Sequence, residues 1–335
     1  MAKGSARARV AAVVRRLAPG GSAAEQAEAA HALARLCSDK SRNKEYVRGC
    51  GGVAALVGLL APGGPPAVQH RAAAALASLC VDDRASEDSV RECGGVAALV
   101  GLLAPGGPPA VQAQAAAVLQ SLCKGDPQVF QACIGDCGGV PALVSLLAPG
   151  GPPAVQQRAA AALARLCFTN ARNQDSMRAC GGIAALVALL APSRSAGVQD
   201  RAAIALGNLC FEGIGNKNSV RECGGVAALV RLLAPGGSAA LHAYAARALR
   251  NLCSGNAHNS NSVRECGGVA ALVGLLAPGS SAAVREQAAA ALLELCSVSA
   301  QSRDAECRGV AALVGLLRLR VLLLCTSMRP PRSSI

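Results

Sequence analysis

The chain has 335 residues, more than the roughly 250–300 at which a single hydrophobic core stops growing. Aromatic residues make up 1% and Trp is absent, so large rings cannot form the core, and Ala, Leu, Val and Cys must fill it. The net charge is +13, but +5 lies before the first acid, Glu25, and +5 after the last, Glu306. That is the pattern of basic ends on a near-neutral body, not of a basic groove.

Residues 1–9 form the basic N-terminal end. The Arg-rich, acid-free start resembles a transit peptide. Val10-Ala-Ala-Val-Val-Arg-Arg-Leu-Ala-Pro19, however, aligns with Val53-Ala-Ala-Leu-Val-Gly-Leu-Leu-Ala-Pro62, which favours a degenerate repeat helix acting as a terminal cap. From there a Gly-Gly pair recurs at 51–52, 94–95, 138–139, 181–182, 224–225 and 267–268, with a degenerate copy at Cys307-Arg308-Gly309-Val310. A period in the low forties marks a helical solenoid, in which each unit buries its apolar face only against its neighbours.

Residues 51–93 show one unit. Gly51-Gly52 ends one helix and opens the next. Val53, Leu56, Val57 and Leu60 lie on one helical face, and Pro62-Gly63-Gly64 stops that helix. Pro65-Pro66 start a second, longer helix, where Pro is tolerated. Its stripe is Val68, Ala72, Ala75, Leu76 and Leu79, and it runs to about Cys80. After a polar loop, a short third helix carries Val90 and Cys93. Three helices in 43 residues distinguish this unit from two-helix repeats.

The sixteen Cys follow the same period. One series ends the long helix (Cys37, Cys80, Cys123, Cys167, Cys210, Cys253, Cys296). The other precedes the glycines (Cys50, Cys93, Cys137, Cys180, Cys223, Cys266). Both series are expected to occupy equivalent core slots as reduced thiols of a cytoplasmic or nuclear protein. There is no CxxC; the nearest approach is Cys133-x3-Cys137, with no His close in sequence, so no metal is expected. Past Leu317 the repeat gives way to a basic, apolar tail, 318–335. The run Val310–Cys325 is 16 residues with two Arg, short of the about 20 a membrane span needs. A continued capping helix, a surface anchor and a gene-model artefact are the readings open for it.

Gly-Gly-Val-Ala-Ala-Leu-Val-x-Leu-Leu, then Val-Gln-x-x-Ala-Ala-x-Ala-Leu-x-x-Leu-Cys, then Asn-x-x-x-Val-Arg-Glu-Cys-Gly-Gly resembles the armadillo repeat, over residues 10–317. The resemblance implies an all-α, right-handed superhelical solenoid of about seven three-helix repeats, with partial units at both ends. It further implies that the long helices line a concave groove for extended peptides, held by an Asn near the helix end and a Trp one turn earlier. The Asn position falls at Arg35, Ser78, Ser121, Arg165, Asn208, Asn251 and Glu294. The Trp position falls at His31, Ala74, Ala117, Ala161, Ile204, Arg247 and Ala290. Only Asn208 and Asn251 match, so the regular clamp of nuclear-import adaptors is mostly missing.

The resulting groove candidates are Asn208, Asn251, Tyr244, Arg247, Arg165 and Arg201. Between near-identical repeats the divergence concentrates in two long-helix columns, His70/Ala113/Gln157/Asp200 and Arg71/Gln114/Arg158/Arg201/Tyr244. Another column, Arg48, Arg91, Arg178, Arg221 and Arg264, lies in the last turn of each short helix, where the helix dipole favours a cation. No GxSxG, P-loop or HExxH occurs, and His31, His70, His242 and His258 are scattered, so no catalytic residue or cofactor is expected. The expected function is a non-enzymatic scaffold binding a protein or peptide. The alternatives are electrostatic binding of nucleic acid or anionic membrane through the ends, and substrate recruitment within a ubiquitin-ligase or nuclear-transport assembly.

Overall fold

The computed structural model describes residues 2–39 and 41–298, so the degenerate copy at 307–310 and the tail 318–335 lie outside the described residues. All regular structure among them is helical. The chain divides into two compact units, up to Leu209 and from Cys210 on.

The first unit holds α1 (Ala2–Arg15), α2 (Ala23–Asp39), α3 (Ser41–Gly49), α4 (Gly52–Gly58), α5 (Pro66–Cys80), α6 (Arg84–Glu92), α7 (Gly95–Gly101), α8 (Pro109–Gly125), α9 (Pro127–Asp136), α10 (Gly139–Ser145), α11 (Pro153–Leu166), α12 (Ala171–Ala179), α13 (Gly182–Ala188) and α14 (Ala196–Leu209). The second holds α15 (Ile214–Glu222), α16 (Gly225–Arg231), α17 (Ala239–Cys253), α18 (Ala257–Glu265), α19 (Gly268–Gly274) and α20 (Ala282–Val298). In the first unit the long helices α2, α5, α8, α11 and α14 pack each against the next; in the second, α17 packs against α20.

The repeat is built as its residues require. Gly94 sits at φ 73°, the left-handed turn that favours glycine. Its partner Gly95 is needed for a different reason: a Cβ there would lie 2.7 Å from Val90 Cγ1 and 3.0 Å from Val57 Cγ2 of the preceding repeat. Pro66 and Pro109 open α5 and α8 in the first turn. Ala72, Ala73, Ala75, Leu76 and Leu79 of α5 are fully buried, and the small residues among them let neighbouring long helices approach closely.

The cysteine series divide. Cys37, Cys80, Cys123, Cys167, Cys210 and Cys253 are buried core thiols. Burial pushes Cys80, Cys123, Cys210 and Cys253 up to about 12, where they stay protonated. The second series corrects the sequence expectation. Cys93, Cys223 and Cys266 are exposed, and Cys50, Cys137 and Cys180 are half-buried. Cys93, Cys223 and Cys266 cap their short helices just before the left-handed glycine, where the chain turns at the surface.

Polar columns in the core join the helices. Gln69, Gln112 and Gln156 each donate through Nε2 to the carbonyl of Ala61, Ala104 and Ala148, all at 2.8 Å, tying each long helix to the end of the helix before it. Asn173 Nδ2 donates to Leu166 O within its repeat and to Gln131 O of the previous one, both at 2.9 Å. Asn259 does the same with Leu252 O (3.1 Å) and Lys217 O (3.2 Å). One residue further on, donors reach forward to the end of the next long helix. Lys44 Nζ donates to Val81 O, Gln131 Nε2 to Arg165 O (2.6 Å) and Phe168 O (3.0 Å), and Lys217 Nζ to Ser254 O (2.6 Å). The short-helix arginines lie in the last turns as expected. They also brace neighbours: Arg48 Nη1 meets Asp83 Oδ2 at 2.7 Å, and Arg264 Nη2 donates to Leu295 O at 2.6 Å.

Candidate partner-binding groove

In the first unit a depression of about 260 Å³ runs over three adjacent long helices. Gln120 of α8, Ala154, Gln157, Arg158 and Ala161 of α11, and Arg201 of α14 line it. Arg158 and Arg201 hold the same position in successive repeats. Arg71 holds it on α5, where its Nη1 lies 3.1 Å from His31 Nδ1 of α2. All three arginines are exposed. Among the described residues, none of them is paired with a carboxylate within ion-pair distance. Asp200, beside Arg201 in sequence, is half-buried with Oδ1 lacking a hydrogen-bond partner. Burial raises its carboxyl above the ordinary range, and Arg201 opposes that shift.

Of the residues singled out in sequence, Arg201 lies in this depression beside Arg158 and Gln157. Arg165 is exposed towards the end of α11. Asn208, on α14, is half-buried, and its Nδ2 donates to Ala164 O of α11 at 2.9 Å. Its amide nitrogen therefore bridges two long helices.

The remaining three stand in the second unit, on α17. Arg247 places its guanidinium 5.9 Å from the centre of the Tyr244 ring, within cation–π range. Burial lowers the pKa of Arg247, and Tyr244 opposes that. Asn251 is 8% exposed, with Arg250 Nε and Nη2 each 3.4 Å from its Oδ1. The structure thus groups Arg201 with Arg158 and Gln157, and Tyr244 with Arg247, while Asn208 and Asn251 belong to different units. Gln120 was missed in sequence. It immediately precedes Ser121, where the asparagine clamp is absent, and nothing else drew attention to it.

Stacked three-helix units that join only to their neighbours define a helical-repeat solenoid. The armadillo/beta-catenin-like repeat family matches this chain at residues 40–81, 126–168, 170–211, 214–254 and 256–297. The chain belongs to that family. Among solved structures, an engineered protein is 32% identical with a TM-score of 0.68, covering 74% of this chain and 97% of its own. Another engineered protein is 29% identical with a TM-score of 0.62, covering 94% of this chain and 84% of its own. A designed armadillo repeat protein in complex with the peptide (KR)4 is 23% identical with a TM-score of 0.65, covering 72% of this chain and 99% of its own. That last likeness shows the fold alone. No curated protein sequence matches the chain.

Proposed function

We propose that this armadillo protein is a non-enzymatic scaffold that holds an extended, acid-bearing segment of another protein along its long helices. The observation that carries this reading is the column Arg71, Arg158 and Arg201: exposed guanidiniums with no carboxylate within ion-pair distance among the described residues, the last two lining a depression over adjacent helices. Guanidinium forks hold carboxylates bidentately, and Gln120 and Gln157 beside them can hold peptide groups. Arg165 and Asn208 extend the surface along α11 and α14. In the second unit, Tyr244, Arg247 and Asn251 form a separate contact on α17, with an aromatic and an arginine of the kind that anchor interfaces. The same reading puts the protein in the cytoplasm or nucleus, on the strength of its buried, protonated thiols.

A fluorescent extended peptide rich in Asp and Glu tests this by anisotropy, against a Lys/Arg-rich peptide of equal length. The acidic peptide should bind more tightly, and Arg158→Glu with Arg201→Glu should weaken it by about fourfold or more. Each lost exposed pair removes ~0.2–1 kcal/mol, and the introduced like charges add a comparable repulsion. Binding that instead survives both changes and disappears on removal of residues 1–9 would replace the groove reading with an electrostatic one at the ends.

A further inference from the structure

At the position five residues before each Gly-Gly pair the chain carries Tyr46, Ser89, Ser176, Ser219 and Ser262; in the unit of α9 it carries Cys133. Four residues on stands Cys137, so this repeat alone places two thiols on one helical face. Both are free and half-buried, open enough to meet a small reagent, unlike the core series. We infer that Cys133 and Cys137 form a reversible oxidation site, a dithiol that a hydroperoxide converts to an intrahelical disulfide.

The order of attack follows from which thiol holds its proton more tightly. Burial, then the neighbouring Cys137, push the Cys133 thiol up; Arg91 of the preceding repeat opposes this and Asp136 adds to it. Cys133 therefore keeps its proton, and the first attack falls to the sulfur of Cys137. That sulfur, giving up its proton to the departing alkoxide, attacks the terminal oxygen of the hydroperoxide. The O–O bond breaks, an alcohol leaves with a proton, and Cys137 becomes a sulfenic acid. Cys133 sulfur then attacks the Cys137 sulfur, the S–O bond breaks, and the hydroxide departs as water with the Cys133 proton. Two thiols and one hydroperoxide give one disulfide, one alcohol and one water.

Helical neighbours four apart have Cβ atoms about 5–6 Å apart, and a disulfide needs about 3.8 Å. The last turn must therefore tighten by roughly 2 Å. Cys137 is the residue that caps α9, and its backbone N–H is still bonded to Cys133 O at 3.1 Å, so the tightening has to come from the two side chains and the last turn together. The strain makes the bond easy to reduce again.

The test uses the reduced full chain, treated with tert-butyl hydroperoxide, alkylated and digested with trypsin. Residues 125–158 form one tryptic peptide holding both thiols. That peptide should lose two hydrogens and resist alkylation, and dithiothreitol should reverse both changes. The peptides of Cys93, Cys223 and Cys266 should still alkylate. Cys133→Ser restores the residue found in sister repeats, so the fold should hold, and Cys137 should then be trapped by dimedone as a sulfenic acid. Cys137→Ser should leave Cys133 largely unlabelled. Full alkylation of both thiols at a peroxide dose that oxidises Cys93, Cys223 and Cys266 would overturn the proposal. So would equal dimedone labelling in the two variants.

Discussion

Glu87 is the residue whose replacement should make the protein more stable. It stands in the column where Lys44, Gln131 and Lys217 donate to the end of the next long helix. An ionised carboxylate has no proton to donate there. In the next repeat Phe130 takes the place of the core asparagine, so neither column supplies a donor to the end of α8. Glu87 is 4% exposed, its Oε2 has no hydrogen-bond partner, and it presses on Gly125, where a Cβ would lie 2.0 Å from that oxygen. Burial raises its carboxyl above the ordinary 4.5; Asp88 adds, Arg84 opposes, and Asp83 and Asp126 add. A carboxyl that holds its proton more tightly folded than unfolded contributes full stability below its unfolded value. That contribution is lost as pH rises through the folded value. Above that window the cost is that of a buried unpaired acceptor, about 1–3 kcal/mol, including ~0.3–1 kcal/mol from a negative charge at a helix C-terminus. Glu87→Gln supplies the amide that Gln131 uses one repeat later. It should stabilise the protein by about 1–3 kcal/mol at pH 7.5 and by much less at pH 4. Urea titrations of both proteins at the two pH values, followed by circular dichroism, give the difference directly. A variant no more stable than the parent at pH 7.5, or a gain equal at both pH values, would refute the reasoning.

Gly95→Ala should lower stability by ~1–3 kcal/mol, because Val90 Cγ1 and Val90 O stand 2.7 and 2.8 Å from the added methyl. Gly101→Ala, with nothing within 4 Å, should be neutral or stabilising by up to ~1 kcal/mol, and thermal melts of the pair separate the two cases. Asn173→Ala leaves two carbonyls without their donor and should cost about 1–3 kcal/mol in denaturant unfolding, helix content being otherwise kept. Asn208→Ala removes the bond to Ala164 O and should cost ~0.5–1.5 kcal/mol of stability whether or not a peptide is present, which calorimetry with and without the acidic peptide would show.

Where the helices start and stop was plain in the sequence, because Pro, Gly and the apolar spacing act on their own neighbours. Pro66 opens α5, Gly94 ends the turn after α6, and the stripe Val68 to Leu79 is buried. What a residue does across a repeat boundary was not plain. Asn173 and Asn259 recur at the period, yet their partners are backbone carbonyls a repeat away, and these carry no sequence signature. The cysteines before the glycines share the period of the buried series but sit at a surface turn, and periodicity alone cannot tell those two cases apart. The groove was half legible. Divergence among otherwise similar repeats pointed to Gln157, Arg158 and Arg201, whereas the engagement of Asn208 with Ala164 depends on how closely α14 lies against α11.

The bonds between repeats fall at recurring separations along the chain: 42 residues for Asn173 to Gln131 O and for Asn259 to Lys217 O, 37 for Lys44 to Val81 O and for Lys217 to Ser254 O. These joints therefore use the same parts, whereas the one at Glu87 and Phe130 lacks them. Excising one 43-residue block between equivalent positions of the shared kind would bring together two surfaces of matching chemistry, and duplicating such a block would do the same. The number of units can thus vary with little redesign where the shared bonds recur, and the reach of the long-helix face can lengthen or shorten by whole steps as the array gains or loses blocks.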